Sequence, residues 1–227
     1  MSSHQLAQPL CLREKLLVQG VESLSDTELL AVFISSGNAK KSCMQLAFEL
    51  LKHLGDLRAI LNADQQSFKQ ISGLGLVRYV QLQAIREICR RSDFISLQKD
   101  TQLIHSEQTY HYLKRQLRDK KNETFVALFL DNQHRVITYE ELFTGTINSA
   151  SVYPRPIIER VLKLNAAAVI LAHNHPSGLA DASQQDLAVT ARLDQALDLV
   201  DVRLLDHLII GDNEVYSIMS RIKWTCH

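Results

Sequence analysis

Two uninterrupted apolar runs limit what the second half of this chain can fold into: Phe125-Val126-Ala127-Leu128-Phe129-Leu130 and Ala167-Ala168-Val169-Ile170-Leu171-Ala172. Each is short and continuous, the pattern of a buried strand. Other signals lie around them. A helix is expected over about 106–118, and a second strand of alternating pattern over 135–143 follows the turn Asp131-Asn132-Gln133-His134. Pro156 suits the first turn of a helix ending near Leu164. A further helix spans 183–199, and late strands at 203–210 and 215–218 flank the turn Gly211-Asp212-Asn213. Strands mixed with helices make this half α/β or α+β.

The first half has a different grammar. Residues 12–92 read as helices throughout, beginning with a short amphipathic stretch from Leu12 to Gln19 that Gly20 stops. Ser25-Asp26-Thr27-Glu28 is a capping box opening a helix that ends near Gly37. Another helix carries Met44, Leu46, Ala47, Leu50 and Leu51 toward Gly55, and a last one runs from about Leu76 to Arg91. The stretch 93–100 has no clear period and is expected to be a linker. Two domains follow: an all-α domain over 1–100 and a mixed domain over 101–227.

Composition narrows the function classes. Lys plus Arg and Asp plus Glu are equal at 25 each, so no global field recruits or repels nucleic acid. Residues 1–100 hold 12 basic and 10 acidic side chains, and 101–227 hold 13 and 15. There is no apolar run of about 18 residues, which argues against a membrane span. Residues 1–9 lack the charged head and apolar centre of a secretory signal. The four cysteines (Cys11, Cys43, Cys89, Cys226) are far apart without a CxxC pair, as expected of free thiols in a reducing cytoplasm.

The sharpest signal is Ala172-His173-Asn174-His175-Pro176-Ser177-Gly178, followed by Ser183 and Asp186. In extended backbone, histidines at i and i+2 share a face about 7 Å apart, so both imidazoles can converge on one ion. Asp186, in the first turn of the next helix, can add an oxygen. Two imidazoles and one carboxylate leave a fourth tetrahedral position for water, the pattern of a catalytic zinc. A plainer reading competes: Ser183-Gln184-Gln185-Asp186 is also a capping box, with Asp favoured at the third helical position. The contiguous His-Asn-His does not indicate an HNH nuclease, whose residues are dispersed. His207, His53, His105, His111 and His134 read as structural or surface histidines.

The spacing His173-x-His175-(seven residues)-Ser183-x-x-Asp186 resembles the JAMM motif of JAB/MPN metalloprotease domains at every defined position. The neighbouring Gly145-Thr146, Val152-Tyr153-Pro154-Arg155 and Leu205-Asp206-His207 resemble the RadC-like (UPF0758) branch, over nearly the whole chain. The resemblance implies an MPN fold (JAB-type, cytidine-deaminase-like) for 101–227, with one zinc at the edge of a curved sheet. It implies His173, His175 and Asp186 as zinc ligands and Ser183 as the hydrogen-bond donor to a developing oxyanion. It also requires an upstream glutamate that accepts a proton from water. Glu123, just before the 125–130 strand, is chosen, with Glu140 and Glu141 as competitors. The branch reads Pro-Arg-Glu where Pro154-Arg155-Pro156 stands here.

In the first half, Ile71-Ser72-Gly73-Leu74-Gly75-Leu76 resembles the hairpin of helix-hairpin-helix domains. Two glycines before a helix expose amides suited to a DNA phosphate, and Arg78 could add a charge. Val77-Arg78-Tyr79 stands where Ala-Lys is usual, and a net charge of only +2 allows weak, salt-sensitive, sequence-independent binding. Protein docking and a plain interhelical turn compete with this reading. The function expected is zinc-dependent hydrolysis of a peptide or isopeptide bond in an unspecified substrate, with no membrane partner. The alternatives are a DNA-binding accessory role in repair or recombination and an inactive MPN scaffold.

Overall fold

A computed structural model of the chain describes residues 11–99, 107–145 and 152–225. The expectations placed on residues 1–9, His105, Ser106, Thr146 and Cys226 lie outside the described residues. The chain divides into two compact units, Met1–Ile88 and Cys89–His227.

The first unit is helical: α1 (Leu12–Gln19), a 3-10 turn (Val21–Ser23), α2 (Asp26–Ile34), α3 (Cys43–Leu54), α4 (Leu57–Asn62), α5 (Gln65–Lys69) and the first part of α6 (Leu76–Lys99). Two reciprocal capping boxes start its main helices. Ser25 caps α2 with Glu28 returning to the Ser25 amide, and Ser42 caps α3 with Gln45 doing the same. The core is built from Leu30, Ile34, Leu46, Leu50, Ile60 and Phe68, each 5% exposed or less. The short helices α4 and α5 carry no readable periodicity. Their starts are set instead by Asp56 and Asp64, whose carboxylates accept the amides of Ala59 and Ser67 at 2.7 Å each.

The stretch 93–100 is not a linker, as far as it is described: α6 continues through Lys99. The reason is tertiary. In the second unit Leu97 is buried in the core and Phe94 packs against it, its ring 5.9 Å from that of Tyr112. Arg115 pairs with Asp93 at 2.6 Å. Apolar residues spaced by three have a face to bury, although the segment looks aperiodic next to its polar neighbours.

The second unit begins with those residues and α7 (Glu107–Leu117), then β1 (Thr124–Leu130), β2 (Val136–Thr144), α8 (Pro154–Leu164), β3 (Ala168–Asn174), α9 (Gln184–Asp198), β4 (Arg203–Ile210), β5 (Glu214–Ser217) and β6 (Lys223–Thr225). The six strands form one sheet in the order β2-β1-β3-β4-β5-β6. β3 and β4 are parallel and every other neighbouring pair is antiparallel. The strands built from the two apolar runs, β1 and β3, lie side by side and are buried along their whole length. Alternate residues serve opposite faces. Val126, Leu128, Leu130, Ile170 and Ala172 pack against Tyr110, Leu113 and Leu117 of α7. Phe125, Ala127, Phe129, Val169 and Leu171 pack against α8 through Ile157 and Val161 and against α9 through Val189, Leu193 and Leu197. His173 continues the second set, so it emerges on the face covered by α8 and α9. The strand β6 was not expected; three residues leave no pattern to read.

Candidate metal centre

The site forms where β3 runs out of the sheet. His173 is its penultimate residue and is 1% exposed, its ring stacked 6.0 Å from that of Phe125. After Asn174 the chain turns through Pro176 to Gly178. Gly178 has a positive φ of +84°, and its amide donates to the His175 carbonyl at 2.9 Å. The turn lies against the Gly211 backbone so closely that a Cβ on Gly211 would stand 2.5 Å from the Gly178 carbonyl oxygen. This closure brings the Leu179 carbonyl 3.0 Å from His175 Nδ1. A carbonyl only accepts, so Nδ1 carries the hydrogen and His175 Nε2 keeps its lone pair.

Helix α9 delivers the third group. Ser183 is its N-cap: the Asp186 amide donates to Ser183 Oγ at 3.1 Å, and the Ser183 amide and hydroxyl donate to Asp186 Oδ2 at 2.8 and 2.6 Å. Asp186 Oδ1 is turned toward His173 Nε2 at 3.2 Å. The two histidine Nε2 atoms are 3.1 Å apart, and His175 Nε2 is 3.7 Å from Asp186 Oδ2. Glu123 Oε1 lies 4.0 Å from each of those nitrogens. One ligand atom from each of Glu123, His173, His175 and Asp186 falls within 4.8 Å of all the others. Burial pushes the Asp186 carboxyl up, but the adjacent His173 imidazole and the two donors of Ser183 outweigh it and hold the group well below the ordinary carboxylate range.

These distances match what a small tetrahedral cation needs. Bonds of about 2.0–2.1 Å place its ligand atoms about 3.3 Å from one another. The pairs His173–His175 and His173–Asp186 meet that spacing, His175–Asp186 is somewhat longer at 3.7 Å, and Glu123 stands farthest, 4.0 Å from each nitrogen. The donor set of nitrogen and carboxylate oxygen is one that zinc accepts.

A model of the RadC-like JAB domain matches residues 103–223, and one of the UPF0758 N-terminal region matches residues 5–80. The chain belongs to the RadC-like UPF0758 family. A UPF0758 protein of Legionella pneumophila (strain Lens) is 74% identical over 221 residues, 97% of each chain. One of Cellvibrio japonicus is 51% identical over 209 residues, 92% of this chain and 93% of its own. One of Aliivibrio fischeri (strain MJ11) is 49% identical over the same length.

Within this JAB domain the three glutamates considered for the base have different surroundings. Glu140 is paired with Arg160, and Glu141 with Lys120 at 2.7 Å. Of the three, Glu123 alone is in the metal-capable group. Its backbone is held by a residue that sequence reasoning did not single out. Asn174, between the two histidines and 1% exposed, accepts the Thr124 amide at 2.8 Å and donates to the carbonyls of Lys120 and Asn122 at 3.2 and 3.3 Å. His207, expected to be structural or on the surface, is fully buried with its Nε2 2.9 Å from His173 Nδ1. A sequence signal for it existed: Asp206-His207 is a polar pair inside an otherwise apolar strand, and buried polar groups need partners. Burial, then the neighbouring imidazoles of His173 and His175, hold His207 well below the usual histidine range. The remaining described histidines are not members of the metal-capable group. His53 meets Gln70, His111 meets Glu107, and His134 meets Arg203.

The family's N-terminal region places its glycines differently from one another. Gly73 has φ +101°, and a Cβ there would stand 2.3 Å from Asn38 Nδ2 and 2.9 Å from Leu46 Cδ2. Gly75 faces open space. Arg78 donates to Gln81 and to Ser36 Oγ at 3.2 and 3.3 Å. No described helix is long and apolar enough to cross a membrane.

Proposed function

We propose that the JAB domain is a zinc-dependent hydrolase acting on a peptide or isopeptide bond. The observation that carries this reading is the convergence of His173 Nε2 with His175 Nε2 at 3.1 Å and with Asp186 Oδ1 at 3.2 Å, with His175 Nε2 3.7 Å from Asp186 Oδ2 and the Glu123 carboxylate 4.0 Å from both nitrogens. His173, His175 and Asp186 would hold one zinc per chain. When bound, zinc polarises a carbonyl and lowers the pKa of a water toward about 7. Glu123, farther from both histidine nitrogens than Asp186 is and half-buried beside the ligands, takes the proton from the attacking water and returns it to the leaving amine. Asn174 keeps Glu123 in place by holding the chain on both sides of it. Ser183 is exposed at the start of α9, and its hydroxyl, which donates to Asp186 in the resting arrangement, would turn to a developing oxyanion.

Elemental analysis of the full-length protein tests the metal: about one zinc per chain is expected, with severe loss in His175→Ala and Asp186→Ala. Wild-type protein that takes up no stoichiometric zinc even when it is added back would overturn the reading. Glu123→Gln should keep zinc and lose about 10²–10⁴-fold in turnover on a cleavable peptide.

A second reading concerns the helical unit: weak, sequence-independent DNA binding at the turn before α6. The open surroundings of Gly75 favour it, because a phosphate could approach that backbone. Gly75→Val in the full chain should weaken binding to duplex DNA at low salt. Gly73 is unsuitable for the test, since any side chain there collides with Asn38 and Leu46. Unchanged binding in Gly75→Val would remove the turn as a contact.

A further inference from the structure

A metal-binding imidazole has one useful orientation of its hydrogens, with one nitrogen bearing the proton and the other bare toward the ion. For His175 the Leu179 carbonyl makes that choice. Among the described residues, His173 Nδ1 does not meet a carbonyl or carboxylate, the partners that usually serve a ligand histidine. Its Nδ1 meets another imidazole nitrogen, His207 Nε2, at 2.9 Å. Two imidazoles in contact permit either direction of donation, so something beyond the pair must decide.

The deciding group is Thr190, one turn after Asp186 on α9. Its hydroxyl is 2.6 Å from the Asp186 main-chain carbonyl and 2.6 Å from His207 Nδ1. A carbonyl only accepts, so the single hydroxyl hydrogen of Thr190 goes to Asp186 O. Thr190 Oγ1 must then accept, and His207 Nδ1 carries the hydrogen. His207 is 0% exposed, and the partners of its two ring nitrogens, Thr190 Oγ1 and His173 Nδ1, are not acids. A neutral imidazole with its hydrogen on Nδ1 has a bare Nε2. His173 Nδ1 therefore donates to His207, and His173 Nε2 presents its lone pair toward His175 and Asp186.

We propose that Thr190 and His207 are positioning residues whose hydrogen bonds, running from the Asp186 carbonyl through both side chains, lock His173 in the Nδ1–H form and aim its Nε2 at the metal position. The relay starts on the backbone of one proposed ligand and ends on the side chain of another. It links the first turns of α9 to β3 through β4, so the three elements present the ligands as one unit. His207→Gln can reproduce it, since an amide both accepts and donates at similar reach. His207→Leu cannot, and it leaves the His173 Nδ1–H buried without an acceptor.

This inference rests on the zinc reading for its purpose but not for its test. Long-range nitrogen–proton NMR of the metal-free full chain at about pH 8 should show both His173 and His207 with the hydrogen on Nδ1. A bare Nδ1 on His173 would overturn the relay, whether or not zinc binds. Competition with a chelator then measures function. His207→Leu should bind zinc about 10–100-fold more weakly, His207→Gln should restore affinity to within a few-fold, and Thr190→Val should weaken it less than His207→Leu. A folded His207→Leu protein with wild-type zinc affinity would also overturn it. Failure of the zinc reading looks different: no zinc uptake by wild type, with His173 still in the Nδ1–H form.

Discussion

Asn174 shows how much one side chain can connect. Its neighbours on either side are proposed ligands, while its own amide faces away from them and fixes the chain on both sides of Glu123. The order His-Asn-His thus joins two ligand positions and the anchor of the proposed base within three residues. Asn174→Ala should keep zinc, since neither histidine loses a partner, but turnover should fall because Glu123 is no longer held. Leaving the Thr124 amide unpaired should also lower stability by about 1–3 kcal/mol. Zinc content, denaturant unfolding and peptide turnover on the same preparations check all three. An Asn174→Ala protein as active as wild type would show that Glu123 needs no such support.

At the scale of elements, caps and tight approaches set where helices and loops begin. In α2 the Glu28 carboxylate accepts the Lys15 ammonium at 2.7 Å and the amide and hydroxyl of Ser25 at 2.9 and 3.0 Å. These contacts, Lys15 first, lower its pKa from 4.5 to about 2. A carboxylate whose folded pKa is depressed stabilises the fold above its unfolded pKa and stops doing so as pH falls through the folded one. The stability difference between wild type and Glu28→Gln should therefore be full above about pH 5 and close toward pH 2. Denaturant unfolding across that range reads it; a difference independent of pH would contradict the assignment. Gly211 is the matching device in the sheet unit. Gly211→Ala forces the 175–180 turn away, because the added Cβ meets backbone rather than a flexible side-chain end. Weaker zinc binding is expected, measured by chelator competition, with helix content unchanged.

On the scale of the whole molecule, each unit has its own core, and the two proposed activities are assigned to different ones. Leu50 belongs to the helical core and Leu171 to the layer under α8 and α9, both 0% exposed. Truncating either to alanine should cost about 2–5 kcal/mol. Leu50→Ala should leave zinc affinity unchanged, whereas Leu171→Ala, two residues from His173 on the same face, should lower stability and zinc affinity together. Thermal unfolding and metal titration of the full-length variants separate the cases.

What the sequence determined by itself is local in origin. The strand runs at 125–130 and 167–172, the capping boxes at Ser25 and Ser183, and the spacing that brings His173, His175 and Asp186 together all depend on residues within about four positions of one another or on one strand–turn–helix unit. Length and patterning suffice there, since each signal acts over a single turn or pleat. Tertiary structure decided the rest. Glu123 and not Glu140 or Glu141 joined the site, because β2 directs those two toward Arg160 and Lys120. Residues 93–99 became helix because Phe94 and Leu97 had a core to enter. His207 reached His173, and Asn174 reached Lys120, across 34 and 54 residues. Which nitrogen of His173 holds its hydrogen depends on a hydroxyl supplied by a helix and an imidazole supplied by a neighbouring strand. No spacing along the chain encodes that choice, because it exists only once three separate elements are packed within hydrogen-bonding distance.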